Sequence, residues 1–486
     1  MTDAQIRSSA GVAPLLERLA GALGPEAVRR ADGETAVQGP NAGMYAPRRT
    51  HAVVGPGSAE QAAEAVRLVA ESGTGVSVHA FSTGFNWGLG SRESADHDVI
   101  ALDLAGLSRV RSIDSEDGWA VIEPGVSQGR LASLLEGSNR MLNVTSASAH
   151  TSVLGNALDR GVGMRGQRTG DLLGLEAVLP DGEVVRTGWW PGSGFGPVYA
   201  HGLGPSLTGL LTQSNLAVVT AAAIRLRPRP EAVRLLAFEF EPSALEGVVD
   251  RLRRWVAQGM TRSVPKLYDR FAARPYGGAE GKCLMHVCVD GAPAAVEALG
   301  DAVLAEAIES GLFTRVVDGR DDDRGELFDL VERSYMGDPD VDDEIFERKM
   351  RVPYDRIDAE SGFLLFLPLV PFRARDVAEA ARLLQSIRDD FGLACGATAH
   401  PLDAEVIDYV VNVRFPRDEE GVRRAHRALE ALYRRFGAAG YAPYRLDVDH
   451  AEWRERFAPS EAAVDLTRRI KGFLDPDGVL ARGRYA

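Results

Sequence analysis

The segment "SVHAFSTGFNWGLGSRE" (residues 77–93) decides how this chain is read. An apolar start gives way to hydroxyl and aromatic residues interrupted by Gly84, Gly88 and Gly90. Glycines this dense favour neither helix nor strand, because each adds backbone freedom and removes a packing side chain. The segment therefore predicts a short strand that opens straight into a glycine-rich loop. A second stretch, "TSASAHTSVLGNALDRGVG" (145–163), is equally rich in small residues. A third, "EPGVSQGRL" (123–131), puts a glycine ahead of a helix-like run. Loops of this kind let backbone approach a ligand closely, and their successive N–H groups form anion-binding concavities. Two of them in the first third of a chain suit a diphosphate-containing cofactor, whose buried charge needs many donors. Neither loop has the G-x-G-x-x-G spacing of a dinucleotide fingerprint, and each read alone is equally well a tight turn.

The bulk properties narrow the choice. A chain of 486 residues is too long for one ordinary core, so two domains are expected. A net charge of −14 without a basic stripe argues against nucleic acid and anionic membrane as partners. Cys283, Cys288 and Cys395 make neither a disulfide framework nor a metal set, which fits a reducing cytoplasm. The N-terminus lacks the basic, apolar and small-residue order of a secretory leader, and no apolar run approaches membrane-spanning length. It reads as a polar tail leading into a short amphipathic helix.

Periodicity places the elements. Residues 58–73 carry apolar positions at helical spacing, with Ser58 as N-cap and Gly73 as stop. A helix capped by Ser127 and a hairpin over 171–188, turned at Pro-Asp-Gly, follow. Beyond about residue 228, four stretches repeat the order strand, then amphipathic helix: 234–259, 281–311, 361–392 and 406–437. This predicts a sheet with helices on one face, hence an α+β chain.

Taken together, "STGFNWGLG" (82–90), "VIEPGVSQGRL" (121–131), "SVLGNALDRGVG" (152–163), "GLEAVLPDGEVVRTG" (174–188), "GLLTQSNLAVVTAAAIRLRPRP" (209–230), "GYAPYRLD" (440–447) and "DPDGVLARGRYA" (475–486) run in one recognisable order. The chain resembles the vanillyl-alcohol oxidase / p-cresol methylhydroxylase flavoproteins. The resemblance implies an FAD-binding domain over 1–228 completed by the C-terminal segment 446–486. It also implies a cap domain over 229–445, built on an antiparallel sheet flanked by helices. Ser82, Thr83, Gly84, Asn86 and Gly88 would line the FAD diphosphate, with Ser152, Gly155, Asn156 and Gly161 as the second wall. Glu123, Pro124, Gly125 and Arg484 fall in the cofactor half, with Glu176 and Val219 toward the adenosine.

Phenolic members hold the substrate oxygen with tyrosines and an arginine, so Tyr444 and Arg445 carry over as catalytic residues. Arg445 would stabilise a phenolate or carboxylate by charge-assisted hydrogen bonds. Three positions depart from that pattern: Leu89 and Met164 replace tyrosines, and Ala147 replaces an acid near flavin N5. His150 lies close to that missing acid and is a candidate for proton removal. His79, His286 and His400 read as packing residues, and "DGRDDDRGE" (318–326) as a solvated loop without metal-site spacing. The histidine that links FAD covalently in many members is Phe363 here, with Tyr354 nearby, so FAD is expected to be non-covalent. The activity implied is hydride transfer from a para-substituted phenol or benzylic alcohol to flavin N5, with oxygen or another molecule as acceptor. The alternatives are a tailoring oxidase of a non-phenolic alcohol, amine or carboxylate-bearing intermediate, and a flavin-binding protein without turnover. A homodimer is also compatible with the resemblance.

Overall fold

The computed structural model describes residues 3–31 and 39–485, with side chains from residue 11 onward. A helix over Asp3–Leu23 stands where a tail and a short helix are expected, and the first two residues lie outside the described residues. A four-stranded sheet follows, in the order Val28–Arg30, Thr50–Val54, Val99–Asp103, Ser77–Phe81, its last three strands parallel. The helix Ala59–Ser72 covers it. Ser58 Oγ accepts the Gln61 N–H at 3.2 Å, and Gly73 ends the helix at φ 60°, as the sequence predicts. Its Ala62, Ala65, Val66 and Val69 pack on Val54, Val78 and Ile100.

A five-stranded antiparallel sheet completes this half, in the order Val184–Gly188, Leu172–Val178, Val218–Arg225, Trp119–Ile122, Val110–Asp114. The C-terminal segment returns to the first sheet. Val78 and Leu480 form a parallel bridge, and Lys471 Nζ donates to Asp475 at 2.5 Å and to the Asn215 carbonyl at 2.7 Å.

The second half is an eight-stranded sheet, antiparallel throughout. Its order is Phe313–Asp318, Ala232–Phe240, Cys283–Gly291, Lys266–Tyr268, Ala394–Pro401, Val406–Arg414, Phe363–Pro371, Pro443–Arg445. Each of the four repeats supplies a strand and a helix, the helices being Leu245–Ala257, Pro293–Ser310, Ala374–Phe391 and Glu419–Ala438. Strand side chains alternate between faces. Leu236, Phe238, Phe240, Met285, Val287, Leu364 and Phe366 meet the helices, while Leu235, Ala237, Leu284 and Cys288 meet the first half.

Gly88 ties the opening loop to this sheet. Its carbonyl accepts the Leu365 N–H and the Tyr45 hydroxyl, each at 3.1 Å. Its φ is +76°, and a Cβ there would sit 2.9 Å from the Leu365 nitrogen. Gly88→Ala should cost on the order of 1–3 kcal/mol, from left-handed backbone plus the clash. Denaturant unfolding checks this, and an unchanged midpoint contradicts it.

Candidate active site

One cavity of about 410 Å³ separates the glycine loops from the eight-stranded sheet. Ser82, Thr83, Gly84, Asn86, Pro124, Ser152, Gly155, Asn156, Val219 and Arg484 line it. The loops are held to one another. Ser152 Oγ donates to the Pro124 carbonyl at 2.6 Å and accepts the Gly155 N–H at 2.9 Å, while the Ser152 N–H reaches Thr83 Oγ1 at 3.1 Å. A Cβ at Gly155 would lie 2.6 Å from Ser82 Oγ, so a side chain there would displace the hydroxyl that faces it from the first loop.

Gly88, Gly125 and Gly161 are not among the lining residues. Gly125 packs where a Cβ would meet the Ala105 carbonyl at 2.1 Å, and Gly161 leaves room for the Asn156 side chain. Glu123 is bound by Arg109 and Arg111, and Glu176 by Arg111 and Arg186, within the five-stranded sheet. The cavity wall also carries Thr151 Oγ1 and Ser214 Oγ, both buried and without a partner among the described residues. Buried hydroxyls are normally paired. With the glycine cradle, they fit a ligand rich in acceptors and donors, and FAD is such a ligand.

Arg445 reaches the cavity; Tyr444 does not. The two are neighbours on the strand Pro443–Arg445, so their side chains leave opposite faces. The Tyr444 hydroxyl accepts from Gln167 Nε2 at 2.6 Å and donates to the Arg160 carbonyl. Burial, then Asp408, holds it above the ordinary tyrosine range. The expected joint grip of Tyr444 and Arg445 on one oxygen is therefore not assembled. Arg445 instead pairs with Asp159, with Nε 3.0 Å from Oδ2, and donates to Asn86 Oδ1 at 2.9 Å. Burial works against its charge, and Asp159 more than offsets this. Asp159 also accepts from the Tyr485 hydroxyl at 2.7 Å. Burial alone would raise its carboxyl, but Arg445 and Arg484 hold it below the usual range.

His150 is half exposed, stacked on Tyr354 at 3.9 Å, and outside the cavity lining. The candidate proton acceptor is thus not brought together with Arg445. His286 is packed edge-on against Tyr268, while His79 and His400, expected as packing residues, line the cavity.

The sheet supplies the other wall. Lys266 and Tyr268, Thr398 and His400, Val410 and Asn412, Phe363 and Leu365 are pairs two residues apart on four adjacent strands, all facing the cavity. The intervening Leu267, Ala399, Val411 and Leu364 face the helices. Lys349, from the helix Asp340–Met350, joins this wall. Burial pushes the Lys349 ammonium down to about 8 and His400 to about 3, with Lys266 and Lys349 adding to the latter shift. Burial also lowers Lys266 and raises Asp342 behind it. These lysines carry no motif; the one signal for Lys266 is a cation two residues before Tyr268 in a strand, visible once the cavity face is known. Asp159 lies inside "SVLGNALDRGVG", and the signal for it is an acid set between two glycine segments.

Among the described residues no cluster of three His, Cys, Asp or Glu is placed to hold a metal, and no helix is long and apolar enough to cross a membrane. Asp318 of the acidic loop pairs instead with Arg234 at 2.6 Å.

Residues 50–188 match the FAD binding domain family. The chain is 30% identical over 495 aligned residues to 1'-carboxy-chondrochloren decarboxylase of Chondromyces crocatus, covering 90% of each protein. The chain belongs to the vanillyl-alcohol oxidase / p-cresol methylhydroxylase family. It is also 27% identical to the 4-cresol dehydrogenase [hydroxylating] flavoprotein subunit of Pseudomonas putida, over 84% of this chain and 83% of that one. The substrate-bound structure of p-cresol methylhydroxylase matches the fold with a TM-score of 0.88 at 22% identity, covering 98% of this chain and 96% of that one. The chain is accordingly an FAD-dependent oxidoreductase of this family.

Within the family pattern, the three departures have structural counterparts. Leu89 is buried against Tyr444 and Leu367, and Met164 is buried beside Ser146. Ala147 stands on the cavity wall, so no carboxylate projects from that position. Arg445→Leu would leave the Asp159 carboxylate without its main counter-charge, which typically costs about 3 kcal/mol or more. We expect a lowered melting temperature and reduced FAD content, with Asp159→Leu on top of it restoring part of the loss. A fully stable Arg445→Leu protein with normal FAD content contradicts the pairing.

Proposed function

We propose that the chain oxidises an aromatic substrate, which gives up hydride from a benzylic-type carbon while seated between FAD and the cap sheet. The observation that carries this reading is the cavity walled on one side by the glycine loops and on the other by Tyr268, Tyr276, Phe346 and Phe363. Aromatic walls favour a flat ring by burial and by edge or offset contacts. When bound, FAD supplies a two-electron acceptor. The chain's own residues supply the rest: the loops orient the cofactor, the sheet excludes water, and Asp159 holds the Arg445 guanidinium in one orientation at the cavity edge. The 4-cresol relative supports a phenolic ring as substrate, and Arg445 remains available to the ring oxygen at the cost of its bond to Asn86. A carboxylate-bearing substrate is the second reading, supported by the decarboxylase relative and by the lysines on the wall.

Phe363 at the position of the usual linkage supports a dissociable cofactor. Two measurements test the proposal. Acid precipitation should release free FAD; flavin fluorescence that stays with the polypeptide contradicts this and points to Tyr354. Anaerobic mixing with a panel of 4-alkylphenols, benzylic alcohols and arylalkanoic acids should bleach the flavin with at least one member. Bleaching by none of them, while dithionite still reduces the flavin, contradicts the aromatic reading.

A further inference from the structure

We infer that the cap side of this cavity is a carboxylate subsite, in which Lys266 and Lys349 together take an anionic group of the substrate. The inference rests on the reading that the substrate lies beneath the cap sheet. Two ammonium groups reach the cavity from different elements, the strand Lys266–Tyr268 and the helix Asp340–Met350. Their protein partners are neutral: Lys266 Nζ donates to Ser146 Oγ, and Lys349 Nζ to Asn412 Oδ1 at 3.3 Å. Neither lysine has an ion pair among the described residues, and each ammonium has three N–H groups to satisfy.

The nearby groups do not supply the missing charge. The Asp159 carboxylate is already engaged by Arg445. Asp342, the acid that acts on Lys266, accepts from Ser334 Oγ at 2.9 Å and is not in ion-pair contact with the lysine. Asp343 accepts the Ala149 N–H at 3.1 Å. Arg414 adds a further positive charge behind Lys349. A buried cation is costly unless an anion meets it. Here the unmet side of both cations is the cavity itself. Thr398 and the Asn412 amide stand on the same wall, and a carboxylate can accept from neutral donors there as well as from the lysines.

The diphosphate of FAD is the other anion available to such a site. The glycine loops proposed to take it, around Ser82, Ser152 and Gly155, stand on the opposite wall. The two sources are separated by measuring cofactor content alongside ligand affinity.

The test is a titration of the FAD-loaded protein with benzoate, phenylacetate and 3-phenylpropanoate against the three matching amides, read by the flavin absorbance change. At least one acid should bind roughly tenfold or more tightly than its amide. Lys266→Met with Lys349→Met should abolish that preference while FAD content stays at the wild-type level. Lys266→Arg with Lys349→Arg should keep part of it, which guards against a double methionine variant that fails to fold. Three results overturn the inference: no acid outperforms its amide, the methionine pair keeps the preference, or the methionine pair loses FAD in step with ligand. An acid preference in a protein whose flavin none of the panel bleaches leaves the subsite standing and removes the proposed aromatic oxidation. Bleaching without acid preference does the reverse.

Discussion

Side chains on a β-strand leave alternately by its two faces, and the cap sheet turns this constraint into a division of labour. One set of positions, Leu267, Ala399, Val411 and Leu364, is spent on packing against the helices. The intervening set is free to be polar, and it brings Lys266, Thr398, His400 and Asn412 to the cavity beside the apolar Phe363, Leu365 and Val410. A one-residue slip in register would send the lysine into the helix core and the leucine into the cavity. The hydrophobic burial that fixes register therefore also aims the site. The same alternation separates Tyr444 from Arg445: on the strand Pro443–Arg445 the arginine reaches the cavity and the tyrosine leaves by the other face.

A second constraint holds the halves together. Asp159 follows the short helix Val153–Leu158 of the second glycine loop, yet it binds Arg445 from the last cap strand and Tyr485 from the C-terminal segment. Asn86 of the first loop bonds to the same guanidinium. Four distant segments thus converge on one largely buried charge pair. Such a pair is expensive to break from one side, which makes it a better clamp than a surface salt bridge. It also means that a substitution at Arg445 is felt first as a change of architecture around the cofactor.

Local signals made much of this readable. Ser58 and Gly73 bound their helix because a hydroxyl cap and a left-handed stop are short-range requirements. The four strand–helix repeats were visible because their periods change from two to 3.6 residues. The strand Ala394–Pro401, "ACGATAHP", was not, because its small residues give no alternation until the neighbouring strands are known. The cavity was legible on its cofactor side, where glycine spacing reports close approach of backbone. It was illegible on the cap side. Lys266 and Lys349 stand 83 positions apart in the sequence and meet only through the sheet and the helix packed beside it. Gly88, Gly125 and Gly161 share the glycine signal but answer to packing, a distinction that depends on what a Cβ would touch.

The most direct measurement is a crystal structure of the FAD-loaded protein grown with 3-phenylpropanoate. Electron density for the flavin between the Ala147 loop and the Thr398–Asn412 face, with the carboxylate on Lys266 and Lys349, is the predicted result. A flavin ring lying elsewhere, or a carboxylate on Arg445 with both lysines untouched, would contradict the assignment of the two walls.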